Sequence, residues 1–197
     1  MSKLRLSADN LMRKRIDIMN KNRIQRITIN GMLLAVMIVC SQLTIPIPIV
    51  PITLQTFAVG LIASLLPVWD GLEVIIAYLL LGTLGFPVFA NFSGGLAVFL
   101  GPTGGYLLSF LVYQLVTAGL LKKFGRQLPV LLAANCLGAL LNLLIGSVWI
   151  IWVLKISFIK AMLIGFVPFL LPGLLKIIVI LPIVKRLAPR TLGRQAV

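Results

Sequence analysis

Long apolar stretches alternate along this chain with short segments rich in proline, glycine or basic residues. Six stretches are apolar enough to predict transmembrane helices: 27–43, 54–66, 72–84, 104–121, 128–153 and 161–184. A hydrocarbon layer of about 30 Å needs about 20 helical residues. The second stretch is shorter than that, so we expect the irregular segment before it to cross part of the depth. The pattern predicts an all-α integral membrane protein built as a six-transmembrane-helix bundle.

The segment 45–56 is almost entirely apolar, yet it carries three prolines, Pro46, Pro48 and Pro51. Proline lacks a backbone donor and disfavours helix in the residue before it. Irregular backbone at membrane depth is tolerated only where protein or a water-filled cavity covers it. We therefore expect a structured loop that roofs a pocket, with Thr53 and Gln55 facing that pocket. An ordinary apolar loop between helices is the alternative.

A second irregular segment, 85–106, contains six glycines and two prolines. It is too apolar for a solvated loop and too broken for one helix, so it too predicts packed structure over a cavity. Thr103 stands where it could cap the following helix. The sequence contains no G-x-x-x-x-G-K-[ST] motif of the nucleotide-binding P-loop.

The composition supports a membrane protein, since 60% of the 197 residues are hydrophobic and only 11% are charged. A soluble domain has about 25% charged residues. The formal net charge is +14, and fifteen of the eighteen Lys and Arg fall in residues 1–26, 122–127 or 185–197. The positive-inside rule then predicts cytoplasmic termini and structured external loops in a multi-pass protein of the plasma membrane, and no nucleic acid as a partner.

Three parts follow from this layout: a basic cytoplasmic tail (1–26), a six-helix membrane domain (27–186) and a basic C-terminal tail (187–197). The first tail is either an amphipathic helix on the lipid bilayer or a disordered segment. After a turn at 67–71, Asp70 and Glu73 have the spacing of a helix capping box. The sequence has no histidine and no acid or cysteine cluster suited to a metal.

Two kinds of polar residue lie within the apolar stretches. Asn135 and Asn142 are seven residues apart and share one helix face, where they either bind neighbouring helices or line a cavity. Lys176 is the only charge deep within an apolar stretch, after expected breaks at Pro168 and Pro172. No acid is placed to neutralise it, so an anionic ligand such as a carboxylate could be its partner. Snorkelling towards an interface or bonding to free carbonyls is the alternative.

Four motifs of this chain resemble those of the BioY family, the biotin-specific substrate-binding (S) components of energy-coupling-factor (ECF) transporters. They are IPIPIVPITLQTF (45–57), LLLGTLGFPVFANFSGG (79–95), GPTGGYLLSF (101–110) and PFLLPGLLK (168–176). The resemblance implies that the chain captures biotin outside the cell. It also implies docking on a transmembrane coupling protein bound to two ABC-type ATPases. No enzymatic activity and no cofactor are expected.

The resemblance also implies roles for particular residues. Lys176 is expected to meet the biotin carboxylate, and Asn91 is expected to help hold the ureido ring. Gly31 and Ala35 on the first helix match the family's docking face. The remaining residues of the expected substrate site are Thr53, Gln55, Tyr78, Phe92, Gly94, Tyr106 and Asn142.

One position departs from the family pattern, which usually has an Asp three residues before the Lys. Here Gly173 stands at that spacing. If that Asp accepts from the ureido N–H groups, its loss lowers affinity for biotin or changes the specificity. Two alternatives therefore stay open: an S component for another small carboxylated solute, or a membrane docking paralogue that binds no solute.

Overall fold

The computed structural model describes residues 23–47 and 49–192, with side chains up to residue 187. The predicted interfacial helix of the N-terminal tail, Pro48 and the end of the C-terminal tail lie outside these residues. Within them the fold is mostly helical. The longer helices are α1 (Arg23–Gln42), α2 (Gln55–Leu65), α3 (Val68–Thr83), α5 (Gly104–Phe124), α6 (Leu128–Leu154) and α8 (Val167–Leu192). Shorter elements are strands β1 (Thr44–Ile45) and β2 (Ile52–Thr53) and helices α4 (Leu96–Leu100) and α7 (Phe158–Gly165).

Helix α2 lies at the centre of the bundle, where nine of its eleven residues are buried. Gly60 allows this close packing. A Cβ built on Gly60 would approach the side chains of Ile180, Tyr113 and Asn135 to 2.7–2.9 Å. A short helix without charged residues can be surrounded by α5, α6 and α8 because its small residues leave room for their side chains.

The proline-rich segment folds as a small hairpin between α1 and α2. Strands β1 and β2 pair antiparallel, with Thr44 opposite Thr53, and the Leu54 amide donates to the Leu43 carbonyl at 3.1 Å. These bonds satisfy backbone groups that the prolines keep out of a helix. The prediction of a structured loop here is confirmed.

The glycine-rich loop, residues 84–103 between α3 and α5, folds back on itself. Phe89 and Ser93 form an isolated β-bridge around a 3₁₀ turn at Ala90–Phe92. Helix α4 follows, and α5 then begins after Thr103. Thr103 stands at the predicted cap position, but its side chain makes no capping bond and its hydroxyl donates to the Val98 carbonyl instead.

At the end of the bundle opposite the hairpin and the glycine-rich loop, charged side chains form contacts between elements. Arg26 of α1 forms an ion pair with Asp70 of α3, and Arg126 donates from Nε to the Ser64 carbonyl at 3.0 Å. The predicted capping box is wrong. Helix α3 already begins at Val68, so Asp70 lies inside its first turn, and Pro67 at the cap position has no side-chain hydrogen bond to offer.

The last apolar stretch was predicted to break near Pro168 and near Pro172, and only the first of these breaks is present. The interruption falls at Phe166, between α7 and α8, and α8 runs on through Pro172 and Gly173 to Leu192. Pro168 lies in the first turn of α8, where a helix leaves its amides without intrahelical partners, so the ring costs little there. Pro172 removes only one helical hydrogen bond.

Among the described residues, four helical stretches are long and apolar enough to cross a membrane: Arg23–Gln42, Gly104–Phe124, Leu128–Leu154 and Phe158–Leu187. Helices α2 and α3 have 11 and 16 residues. At about 1.5 Å per residue, neither reaches across a layer of about 30 Å by itself. The predicted count of six crossings therefore stays a prediction.

Candidate functional site

A cavity of about 230 Å³ lies where the hairpin and the glycine-rich loop meet the helices. Aromatic rings form much of its apolar wall: Phe89, Tyr106, Phe110 and Phe169. Its polar lining is drawn from both loops, α2, α6 and α8: Thr53, Gln55, Thr56, Asn91, Ser93, Thr103, Asn142 and Lys176. An apolar pocket with a few convergent polar groups is the usual form of a small-molecule site.

Lys176 is the one cation among the described residues that line this cavity. Helix α8 carries it under the hairpin, where its Nζ donates to the Thr53 carbonyl at 2.6 Å and to Thr56 Oγ1 at 2.8 Å. Both partners are neutral, so the ammonium keeps its charge uncompensated within the described residues. Its third N–H remains available to a ligand.

Gln55 and Tyr78 belong to a chain of hydrogen bonds behind the cavity wall. The Gln55 amide donates from Nε2 to the Tyr78 hydroxyl at 2.7 Å, and that hydroxyl donates to the Val88 carbonyl at 2.9 Å. Thr53 donates to Gln55 Oε1 at 3.1 Å. Because both ends of the Gln55 amide are engaged within the protein, this residue braces the hairpin, α3 and the glycine-rich loop together.

Asn91 sits on a strained turn of the glycine-rich loop. Asn91 and Phe92 both have positive φ angles, 57° and 55°, which are uncommon for residues other than glycine. The end of α1 and the start of β1 hold this turn in place. Thr44 donates to Asn91 Oδ1 at 2.6 Å, and Gln42 Oε1 accepts from the Phe92 amide at 2.8 Å. The bond from Thr44 leaves the Asn91 amide nitrogen as the group that can serve a ligand.

Tyr106 of α5 and Asn142 of α6 form part of the cavity wall. The Tyr106 hydroxyl donates to the Gly165 carbonyl at 2.7 Å, so its ring is fixed between α5 and α7. Asn142 donates from Nδ2 to the Tyr106 carbonyl at 3.1 Å and to Ser109 Oγ at 2.5 Å. Asn135, by contrast, donates to Ser64 Oγ of α2 and to the Leu131 carbonyl of its own helix, accepts from the Tyr113 hydroxyl of α5, and does not line the cavity. Asn135 therefore binds neighbouring helices and Asn142 lines the cavity, which are the two alternatives that the sequence left open.

The structure brings six of the predicted substrate residues to one cavity: Lys176, Asn91, Thr53, Gln55, Tyr106 and Asn142. Tyr78, Phe92 and Gly94 are not brought to its wall. Tyr78 is fully buried behind Gln55, and the left-handed turn leaves the Phe92 ring 71% exposed. Gly94 packs against the Phe86 carbonyl, so its part is to let the loop close on itself.

Sequence reasoning predicted Tyr106 but missed the other three rings of the aromatic wall and the bonds from the end of α1 to the glycine-rich loop. Phe89, Phe110 and Phe169 lie in apolar segments, where nothing in the pattern separates a cavity wall from ordinary core. Ser41 and Gln42 did give a signal, since they are polar residues at the end of an apolar stretch. Ser41 donates to the Val88 carbonyl, and Gln42 also donates to the Pro87 carbonyl.

Residues 12–192 match the family model described as the BioY family. The chain belongs to the BioY family. This confirms the resemblance inferred from the four motifs.

Among curated relatives of this BioY-family chain, it is 39% identical to "Biotin transporter BioY2" of Lactococcus lactis over 82% of this chain and 89% of that protein. It is 38% identical to "Biotin transporter BioY" of Thermotoga maritima, over 80% of this chain and 92% of the relative. These relatives are transporters, so the expectation that this BioY-family chain is not an enzyme is confirmed. With its long apolar helices, it is a multi-pass membrane protein.

A solved structure agrees with the fold. The crystal structure of the S component for biotin from an ECF-type ABC transporter superposes with a TM-score of 0.81 at 28% identity. The alignment covers 85% of this chain and 93% of that one. The BioY-family chain therefore has the fold of an ECF S component.

The predicted docking residues lie on α1, away from the cavity. Gly31 and Ala35 are both exposed, one turn apart on the same face. No atom outside the helix backbone lies within 4 Å of a Cβ built on Gly31. This face is open to a partner helix in the described part of the chain.

Proposed function

We propose that this protein is the substrate-capture component of a biotin uptake transporter. Relatives named as biotin transporters and a solved biotin S component support this function. The observation that carries it is the cavity itself, which is small, mostly aromatic and apolar, and roofed by two loops. Apolar walls suit the thiophane ring and valeryl chain of biotin, and the polar groups suit its two hydrogen-bonding ends.

The charge of Lys176 explains why an acidic vitamin would be captured. A half-buried ammonium with neutral partners is costly, and an anionic ligand reduces that cost. Attraction between charges is also stronger and longer in range where water is excluded. The cation therefore favours biotin over neutral molecules of the same size.

We propose further that six segments cross the membrane, with the hairpin completing the crossing of α2, and that both termini are cytoplasmic. The contact between Arg126 and Ser64 places the basic α5–α6 loop at the end of the bundle opposite the cavity. By the positive-inside rule this end faces the cytoplasm. The cavity then opens outwards, at the plasma membrane of the cell.

The proposed partners are biotin, a transmembrane coupling protein and two ABC-type ATPases, in the lipid bilayer. The fold of an ECF S component supports the general assembly, and the composition is our proposal. No cofactor takes part on the side of this chain, since biotin is the transported ligand. ATP-driven movement of the assembly would release biotin inside.

The direct test is calorimetric titration of the detergent-purified chain with biotin, for the wild type and Lys176→Ala. Losing a hydrogen bond to a charged group costs about 1.5–3 kcal/mol, so we expect Lys176→Ala to bind at least about tenfold more weakly. Equal thermal unfolding midpoints would show that the variant is folded. A folded wild type that gives no heat with biotin, but binds another small carboxylate, would show an S component for that solute. If the folded wild type binds neither biotin nor another small carboxylate, docking on a partner is the role that remains.

A further inference from the structure

A groove of about 450 Å³ runs between α6 and α8 on the outside of the bundle. Small residues of both helices line it: Cys136 and Ala139 of α6, and Gly173 of α8. A Cβ built on Gly173 meets no atom within 4 Å, apart from its own helix backbone and its chain neighbours. The two helices therefore leave a furrow between them at this level.

The rim of the groove consists of leucines that are exposed on the surface of the bundle. Leu140 belongs to α6, and Leu170, Leu171 and Leu174 belong to α8. The other residues that line the groove are apolar or small as well. Since such a lining offers water no hydrogen-bond partner, the groove suits an apolar occupant.

The groove lies near the middle of two long apolar stretches. Its α6 residues fall within 136–143 of Leu128–Leu154, and its α8 residues fall within 170–177 of Phe158–Leu187. At a rise of about 1.5 Å per residue, the groove is about 12 Å from the nearest end of either stretch. In a hydrocarbon layer of about 30 Å, the medium at this depth is lipid acyl chains.

An acyl chain fits this groove better than a transmembrane helix does. A helix with its side chains is about 10–12 Å across, and helices approach one another closely where small residues form the outer surface. Gly31 and Ala35 form such a surface on α1, where both are exposed. In the groove, the small residues are only half-buried and lie behind exposed leucines. The leucines keep a helix backbone at a distance but admit a thin, flexible chain.

The inner side of the groove is also the outer side of the binding region. Ala139, Leu143, Gly173 and Ile177 line both the groove and a small recess of about 30 Å³ beside Lys176. If the groove were empty, these residues would lack packing partners on their membrane side. An acyl chain in the groove would supply those contacts.

We propose that the groove between α6 and α8 is a lipid site that holds one acyl chain of a membrane phospholipid. The site lies on the outside of the bundle and is distinct from the cavity. This inference holds whether or not the cavity binds biotin, so its failure and the failure of the proposed function are distinguishable.

The first test uses the wild-type chain in nanodiscs of phosphatidylcholine that carries a diazirine in the middle of one acyl chain. After illumination, mass spectrometry compares labelling at Leu174 with labelling at Leu115 of α5. These leucines are 47% and 45% exposed, and each lies near the middle of its own apolar stretch. We expect about threefold or more labelling at Leu174, because a chain held in the groove keeps its contacts there. Equal labelling of the two leucines would overturn the proposal.

Cys136 allows the groove to be filled, since it lines the groove but not the recess. Cys136→Phe places a ring in the groove, whereas the matched variant Cys136→Ala leaves it open. Labelling at Leu174 should fall to the level of Leu115 in Cys136→Phe alone. Equal labelling of Leu174 in both folded variants would show that the groove holds no chain. The comparison within the wild type stands if Cys136→Phe does not fold.

A third arm separates a lipid from a protein as the occupant. A photoreactive benzoylphenylalanine replaces Leu171 on the rim, in membranes that also contain the coupling protein. Crosslinked products that carry the added mass of a phospholipid would support the proposal. Crosslinks to a second copy of this chain or to the coupling protein would show a protein interface instead and would refute it.

Discussion

At the scale of single residues, Gly173 leaves a small recess beside the cavity without an acidic side chain; this recess is also lined by Thr56, Asn142, Phe169 and Lys176. Gly173 lies on α8 three residues before Lys176 and lines the recess beside it. No atom lies within 4 Å of a Cβ built on Gly173, apart from its own helix backbone and neighbours. A larger side chain would therefore fit here without moving its surroundings.

We predict that Gly173→Asp binds biotin more tightly than the wild type. A carboxylate at this position, one helical turn from Lys176, would give the ureido N–H groups a charged acceptor. Charged hydrogen bonds contribute about 1.5–3 kcal/mol, so a gain of about tenfold is expected. Calorimetric titration of Gly173→Asp beside the neutral isostere Gly173→Asn measures it.

Gly173→Asn should gain less affinity for biotin than Gly173→Asp, because asparagine adds no charge. Weaker binding of Gly173→Asp than of the wild type would contradict this prediction. It would mean that the new acid pairs with Lys176 and takes the cation away from the ligand.

At the scale of elements, α1 and the glycine-rich loop behave as one unit at the cavity end. Ser41, Gln42 and Thr44 bond to Val88, Phe92 and Asn91 of that loop. Two consecutive left-handed residues cost energy, and surrounding contacts must hold them. A tilt of α1 would therefore be felt directly at the roof of the site.

We predict that Gln42→Leu speeds the dissociation of biotin. The change leaves the Phe92 amide without its partner, which costs about 1–3 kcal/mol and loosens the turn that carries Asn91. Release of radiolabelled biotin in a chase experiment should be about fivefold to tenfold faster.

Thr28→Val is the matched control on the same helix. Thr28 is exposed, and its hydroxyl bonds only to the Ile24 carbonyl within α1. If biotin dissociates as slowly from Gln42→Leu as from Thr28→Val, α1 does not hold the glycine-rich loop closed.

At the scale of the whole molecule, the cavity proposed for ligand capture and the face proposed for docking are separate surfaces. The cavity lies under the loops, whereas Gly31 and Ala35 lie on an open face of α1. Small residues allow the close approach of another helix in a membrane. A substitution on the α1 face should therefore leave the cavity unchanged, and a substitution in the cavity should leave the α1 face unchanged.

We predict that Gly31→Phe abolishes co-purification with the coupling protein while biotin affinity stays within about twofold. The large ring occupies the face where a partner helix would approach, and the isolated protein has room for it. Pull-down from membranes that express the whole transporter, with titration of the same variant, measures both effects.

Gly119→Phe serves as the control, because a Cβ there also meets nothing within 4 Å but lies on α5. Equal recovery of the coupling protein with Gly31→Phe and Gly119→Phe would show that α1 is not the docking face.

Local composition was sufficient for several features of this protein. Apolar length predicted membrane helices, proline and glycine predicted the two irregular loops, and the isolated charge drew attention to Lys176. These signals depend on residues close together in the chain, so they can be read without a fold. The family motifs then indicated the ligand class.

Only the tertiary structure decided how the polar residues divide their roles. Lys176 bonds to the Thr53 carbonyl across 123 residues of sequence, and Gln55 reaches Tyr78 across 23. The same kind of amide joins helices at Asn135, whereas at Asn142 its oxygen has no hydrogen-bond partner among the described residues. Sequence spacing placed both on one face, but which atoms meet depends on how α5, α6 and α8 pack, and that packing is set by contacts far apart in the chain.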